Sequence, residues 1–253
     1  MTKMPLTKED KEILLSQSGS KTSAEWVEHF NGKYTKKQIY NFCYNNCALP
    51  KKTNQPQAKS TRQYHINQDY FKTWSAEMAY TLGLWYAVGH IYNGKFFDIS
   101  LHKKDKYVLK KIAQELQYEG QLYDGVDRQA ARINFSCKII YDDLIALTNG
   151  SKLPHIPSEY RADFVRGYFD GNGTVTRIKG NRLNLTLEGK SKAFLRSLFR
   201  LLKEEAGITG GSFDDSCMSL KFGKHDTIKL GKYMYQNNSE LYLKRKKDKF
   251  SLD

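Results

Sequence analysis

Apolar positions in the first 49 residues recur at helical spacing in three short runs separated by turn residues. Thr7 opens the first run, which carries Ile13 and Leu14. Thr22 followed three positions later by Glu25 is a capping-box pattern, in which two side chains satisfy the unpaired N–H groups at a helix start, and it opens a second run with Ala24, Val27 and Phe30. Asn31-Gly32 ends that run. Thr35 with Gln38 repeats the pattern, and Ile39, Phe42, Cys43 and Cys47 fall on one side of a third helix. The order predicts a helix-turn-helix module over residues 1–49. On the exposed side of its third helix stand Lys36, Lys37, Tyr40, Asn41, Tyr44 and Asn45, residue types that reach phosphates and base edges in a major groove.

Residues 50–64, PKKTNQPQAKSTRQY, hold two prolines and almost nothing that packs, the composition of a linker. From residue 65 onward the chain repeats itself. AYTLGLWYAVGHI at 79–91 matches DFVRGYFDGNGTV at 163–175, with Gly83 and Gly167 84 positions apart and Gly89 and Gly173 likewise. Each is followed by an alternating strand, FFDISLHK or RLNLTLEG, and then an amphipathic helix, DKYVLKKIAQEL or SKAFLRSLFRLL. A further strand, ARINFSCK or CMSLKFGK, and a further helix, IIYDDLIAL or HDTIKLGKYMY, complete each half. The expected fold is α+β: two αββαββα halves, residues 65–150 and 151–253, related by a pseudo-twofold axis and preceded by the small all-α module. The chain is expected to be a monomer containing its own pseudo-dimer.

Charge narrows the partner. Forty-one basic against 27 acidic residues give +14 and a sequence pI near 9.4, spread along the chain rather than on one amphipathic helix, which favours nucleic acid over a membrane surface. No stretch approaches the roughly 20 apolar residues of a membrane span. The start, MTKMPLTKED, lacks the apolar run of a secretion signal, so a cytoplasmic, nucleoid-associated location is expected. Cys43, Cys47, Cys137 and Cys217 form neither a Cys-x-x-Cys pair nor a Cys/His cluster, and no two of the six histidines have metal-pair spacing. No structural zinc is expected, and Cys43 and Cys47 read as small buried apolar residues.

TLGLWYAVG at 81–89 and VRGYFDGNG at 165–173 resemble the nine-residue motif of the LAGLIDADG homing endonucleases. The lead-in INQDYFKTWSAEMAYTLG and the closing segment LYLKRKKDKF are similar to the corresponding parts of the family, so the resemblance covers about residues 65–250. A small residue every fourth position, Gly83 with Ala87 and Gly167 with Gly171, strips bulk from one stripe of each motif helix and lets the two pack closely between the halves. The resemblance implies that the strands form a concave saddle along the major groove of double-stranded DNA. Alternation then turns Ile99, Leu101, Ile133, Phe135, Leu183, Leu185, Leu187, Met218, Leu220 and Phe222 to the core. Outward fall Asp98, Ser100 and His102; Arg132, Asn134 and Ser136; Asn184, Thr186 and Glu188; and Ser219 with Lys221, candidate base readers.

In the family, the acid at the eighth motif position of each half binds divalent metal between the scissile phosphates, because hard anionic oxygens must hold ions that activate water and stabilise charge on phosphate. Here those positions are Val88 and Asn172. Valine offers no ligand and asparagine only a neutral carbonyl. Asp170, two residues from Asn172, is about 200° around a helix and should point away from the shared site. Lys244, with Arg245 and Lys246 beside it, matches the basic group near the active site of relatives and is expected to contact phosphate. No catalytic residue and no cofactor are expected, Mg²⁺ entering only if cleavage is retained. The expected function is a sequence-specific DNA-binding regulator on an endonuclease fold; a cutting homing endonuclease and an RNA-binding intron maturase are the alternatives. Sporulation regulators of Gram-positive bacteria that join a degenerate LAGLIDADG domain to a helix-turn-helix are similar in kind, with the modules in reverse order.

Overall fold

A computed structural model describes residues 5–17, 21, 23–45, 64–92, 96–124, 129–148, 153–178, 182–237 and 239–250. Residues 44, 45, 91, 92, 178 and 182 are described by their backbone. The linker expected at 50–64 lies outside the described residues except for Tyr64, as do Thr22 and Cys47. Two compact units divide the chain, Met1–Arg62 and Gln63–Asp253.

Among the described residues, three helices make the first unit: α1 (Lys8–Ser16), α2 (Ser23–His29) and α3 (Lys36–Asn45). Thr7 caps α1, its Oγ1 accepting from the Asp10 N–H. Thr35 and Gln38 cap α3 reciprocally, the Gln38 N–H donating to Thr35 Oγ1 at 3.2 Å and the Thr35 N–H to Gln38 Oε1 at 3.0 Å. Between α2 and α3 the chain reverses through Asn31 and Gly32, both in the left-handed region at φ 47° and 72°. Leu14, Trp26, Tyr34, Ile39 and Cys43 form the buried core. Asp10 accepts from Tyr34 Oη and Lys33 Nζ, tying α1 to the segment before α3; these partners hold its carboxyl well below the usual carboxylate range.

The second unit contains two halves of matching order. The first runs α4 (Ala76–Val88), β1 (Gly89–Tyr92), β2 (Phe96–His102), α5 (Lys106–Glu115), β3 (Tyr123–Asp124), β4 (Ala130–Ser136) and α6 (Lys138–Thr148). The second runs α7 (Arg161–Asn172), β5 (Gly173–Ile178), β6 (Arg182–Glu188), α8 (Lys192–Ala206), β7 (Ser212–Asp214), β8 (Ser219–Phe222) and α9 (Lys224–Met234). Each half folds an antiparallel four-stranded sheet, ordered β1-β2-β4-β3 and β5-β6-β8-β7. Alternating apolar positions face the helices: Phe97, Ile99, Leu101, Ile133 and Phe135 in one sheet, and Leu183, Leu185, Leu187, Leu220 and Phe222 in the other, are buried. Met218, expected to face the core of β8, lies before the strand in a left-handed turn at φ 47° and is only half-buried. α5 and α8 each bury one apolar stripe, whereas α4 is buried on every side from Met78 to Trp85 because it packs on α7 as well as on its own sheet. After α9 the chain returns through buried Leu241 and Leu243 to a short helix, α10 (Lys244–Lys247), and buried Phe250. No described helix is long and apolar enough to cross a membrane.

Candidate nucleic-acid interface

Glycine sets the distance between α4 and α7. A Cβ added at Gly83 would sit 2.1 Å from the Phe164 carbonyl oxygen, and one at Gly167 would sit 2.0 Å from the Tyr80 carbonyl oxygen. Gly83 also faces the Tyr168 nitrogen and Gly167 the Leu84 nitrogen, each at 2.9 Å. The contacts are reciprocal at the 84-residue repeat distance: residue 83 meets 164 and 168, and 167 meets 80 and 84. This is the pattern of a twofold, isologous interface inside one chain. One turn on, a Cβ at Gly171 would meet Ala87 Cβ at 2.2 Å, so contacts advance together and the helices run parallel. β1 and β5 therefore leave the pair at the same end, and both sheets hang from it.

The outward face of each sheet is grooved. Around the first, His90, Asp98, Ser100, Tyr123, Asp124, Ala130, Arg132 and Asn134 line a groove of about 680 Å³. The second groove, about 420 Å³, is lined by Thr176, Asn184, Thr186, Ser212 and Lys221 among others. In the first groove Arg132 donates from Nε and Nη2 to the two Asp98 oxygens at 2.5 and 2.7 Å. In the second, Lys221 donates to Asp214 at 2.7 Å, and this bond together with those from Ser216 and the Cys217 N–H holds the Asp214 carboxyl well below the usual range.

Residues 159–214, spanning α7 to β7, match the LAGLIDADG-like domain. The second half is thus LAGLIDADG-like in sequence. The two-half α+β architecture with paired motif helices is the LAGLIDADG fold. No curated protein matches the chain in sequence. Among solved structures it is similar to the I-LtrWI LAGLIDADG homing endonuclease bound to target DNA, at 12% identity over 63% of this chain and 80% of that one, with a TM-score of 0.41. It is also similar to full-length DUF199/WhiA from Thermatoga maritima, at 15% identity, 72% and 62% coverage and TM-score 0.46, and to mesophilic variants of the homing endonuclease I-DmoI, at 18%, 66% and 93%, and 0.46.

At the end of the LAGLIDADG helix pair stand Val88 and Asn172, both half-buried. Asn172 Nδ2 donates across the pair to the Ala87 carbonyl at 3.0 Å. A divalent ion of the kind the family implies needs anionic oxygens here, and a valine methyl and an engaged carboxamide do not fit it. Among the described residues no group of three or more His, Cys, Asp or Glu could hold a metal ion. Asp170 serves structure instead: it is buried, and its Oδ2 accepts from Tyr80 Oη and from the Leu243 N–H, both at 2.8 Å. Burial pushes its carboxyl up to about 6 despite these bonds. The closing basic run also divides. Lys244 is exposed beside the Tyr107 ring and Arg245 pairs with Asp105, but Lys246 is buried and donates to the Phe169, Asp170 and Gly173 carbonyls at 3.0, 2.7 and 2.6 Å. Burial lowers its ammonium to about 8. Lys246 is thus corrected from a phosphate contact to a cap on the α7 C-terminus, where the last carbonyls have no helical partner.

Two sheet positions are corrected similarly. Asp98 is on the outward face but only 5% exposed, covered by Arg132, so it is a counter-ion rather than a base reader. Ser219 is 1% exposed, because the Met218 turn is pinned to the end of β6 by the Gly189 N–H at 3.0 Å. His102, Arg132, Glu188 and Lys221 are exposed, and Ser100, Asn134, Ser136, Asn184 and Thr186 half-buried. Asn134 Nδ2 donates to the Phe97 carbonyl, and His102 Nδ1 accepts from the Lys104 N–H, capping the turn before α5. On α3, Lys36, Lys37, Tyr40 and Asn41 are exposed; the side chains of Tyr44 and Asn45 lie outside those described. Tyr123, 55% exposed in the first groove, was not among the sequence candidates: a two-residue strand is too short to show alternation.

Proposed function

We propose that the chain is a sequence-specific double-stranded DNA-binding protein that does not cut its site and acts as a transcription regulator. The observation that carries this reading is the contrast at the LAGLIDADG helix pair: the glycine-matched packing is kept, while the positions that would hold metal are Val88 and Asn172. The grooved sheet faces mix donors and acceptors suited to base edges, and the +14 charge favours a polyanion. The α2–α3 pair, with Lys36, Lys37, Tyr40 and Asn41 exposed on α3, supports a helix-turn-helix that extends the contacted site. The internal pseudo-dimer supports a monomer as the binding species.

The test is gel-shift titration of duplex DNA across salt, followed by incubation of the bound site with Mg²⁺ or Mn²⁺. Tight, salt-dependent binding without strand cleavage is expected. Double-strand cutting by the unaltered chain would return it to the endonucleases, and equal affinity for structured RNA would favour the maturase reading. Val88→Asp with Asn172→Asp rebuilds both carboxylates; neither single variant does.

A further inference from the structure

The Asp98–Arg132 pair has no counterpart at the equivalent positions of the other half, whose sheet pairs Lys221 with Asp214 instead. Counted from the ends of the motif helices, β1 and β2 pair Gly89 with Ile99, and β5 and β6 pair Gly173 with Leu187. One row outward, His90, Asp98 and Asn134 lie side by side, where the second sheet has Thr174, Thr186 and Lys221. On the opposite side of the same reference row, Ser100, Arg132 and Tyr123 correspond to Glu188, Ser219 and Asp214. Thr186 and buried Ser219 cannot form an ion pair.

We propose that Arg132 reads a guanine in the half-site under the first sheet and that Asp98 is the residue positioning it. The inference rests on the DNA-binding reading above and specifies how one base pair is chosen. Asp98 takes Nε and one N–H of Nη2, fixing the plane of the guanidinium, while 44% of the Arg132 side chain is exposed in the groove. A fixed planar fork matches the O6 and N7 acceptors of guanine, which lie in one plane at fork spacing. Charge argues against a phosphate role. The pair is neutral overall, so Arg132 is poorly suited to the counter-charge task that a phosphate contact performs. Its place is in the groove, flanked by Ser100, Asn134 and Tyr123, donors and acceptors of the kind that suit base edges.

The experiment selects bound sequences from a random duplex pool with the full chain, then measures affinity and salt dependence for the selected site with each base at the guanine position. For the wild type, one half-site is expected to show a guanine preferred about ten- to a hundredfold over other bases. Arg132→Lys keeps the charge and loses the fork, and Arg132→Ala loses both; each is expected to abolish that preference and leave other positions unchanged. Arg132→Ala strands the Asp98 carboxylate, so the slope is read in the Arg132→Ala/Asp98→Asn double variant, which removes the neutral pair as a unit and should leave the salt slope nearly unaltered. Asp98→Asn should weaken the same guanine preference while raising affinity for unrelated duplex and steepening the salt slope by about one ion, an unmasked cation that a merely structural role would not produce. In the Arg132→Ala background Asp98→Asn should have no further effect on specificity. An even loss of affinity across sequences in Arg132→Ala and in the double variant, with a shallower salt slope in the double variant, would make Arg132 a phosphate contact and overturn the proposal. Failure of the wild type to enrich any duplex sequence would instead remove the DNA-binding reading, and this one with it.

Discussion

The two LAGLIDADG halves share a backbone plan and differ in what lies behind their motif helices. Where α4 has Ala79, Leu82 and Tyr86, α7 has Asp163, Arg166 and Asp170. The first set is apolar, with Tyr86 stacked on Phe194 of the other half. The second is a buried polar network that receives the end of the chain: Arg166 donates to Asp163 at 2.5 Å, to the Met234 and Leu241 carbonyls and to Asn237, while Asp170 accepts from the Leu243 N–H. Symmetry is enforced where backbones touch and released where side chains have different neighbours. The segment after α9 reaches Arg166 and Asp170 on α7 with backbone carbonyls and an N–H that must be paired, and α7 supplies the partners.

The glycine contact gives the largest expected effect and tests the symmetric part of this contrast. At Gly83 and Gly167 an added Cβ meets backbone, which cannot rotate aside. Gly83→Ala and Gly167→Ala should each cost more than about 4 kcal/mol in urea unfolding and agree within about 1 kcal/mol. Gly223, the N-cap of α9 with nothing within 4 Å of an added Cβ, is the control, and alanine there should cost no more than about 1 kcal/mol. A tolerated alanine at one motif glycine and not the other would break the claim of reciprocal packing.

Copying the first half into the second tests the asymmetric part. Arg166→Leu leaves Asp163 buried opposite an alkyl chain and should cost about 3–5 kcal/mol. Adding Asp163→Ala, so that both α7 positions match α4, should recover only the part of that loss due to the stranded charge, since the Met234 and Leu241 carbonyls stay without the partner Arg166 gave them. A double-mutant cycle measures it; strict additivity would show that the two residues do not act as a pair.

Much of this architecture was readable from residue spacing. Motif glycines at a fixed repeat, alternating strands and the Thr35–Gln38 capping box are local signals, and each of them describes backbone the chain adopts wherever it sits. The polar network was not readable. Asp163 and Arg166 are ordinary helix residues in sequence, and their burial depends on a segment about 70 positions later arriving on the same face. The outward set on the sheets was legible as a face and not as individual roles: alternation places Asp98 outward, but only the diagonal neighbour Arg132 reveals that it is covered. Lys246 shows the same limit, since Lys244, Arg245 and Lys246 are adjacent basic residues and a single helical turn decides which one is buried.

A smaller effect separates Asp170 from Tyr86. Burial raises the folded-state carboxyl of Asp170 to about 6, above its ordinary value near 4, so between these values the folded chain keeps a proton that the unfolded chain releases. Its contribution is greatest below about pH 4 and is lost as pH rises through about 6, a change of about 1–3 kcal/mol. Asp170→Asn should flatten the stability profile in that window. Tyr86→Phe should leave its shape unchanged, because burial moves the Tyr86 phenol upward, farther from it. Parallel wild-type and Asp170→Asn profiles from pH 4 to 7 would show that Asp170 stays ionised when folded.

The smallest effect concerns a place where the chain end reaches back to the first half. Tyr107 on α5 donates to the Tyr242 carbonyl at 2.9 Å and accepts from the Lys244 N–H at 2.6 Å, beside the Arg245–Asp105 pair. Aligned on the helix starts after Asp105 and Ser191, the matching position in α8 is Ala193, which is exposed. Removing one hydroxyl therefore removes two hydrogen bonds in one half and has no equivalent in the other. Tyr107→Phe keeps the ring and should cost about 1 kcal/mol, because a half-buried group exchanges protein partners for water at little net loss. Its sharper signature is local: the Lys244 amide should exchange its hydrogen faster, while amides of α8 are unaffected. If Lys244 protection is unchanged in Tyr107→Phe, then Asp170, Arg166 and Lys246, with the Arg245–Asp105 pair, hold the segment without help from the Tyr107 hydroxyl.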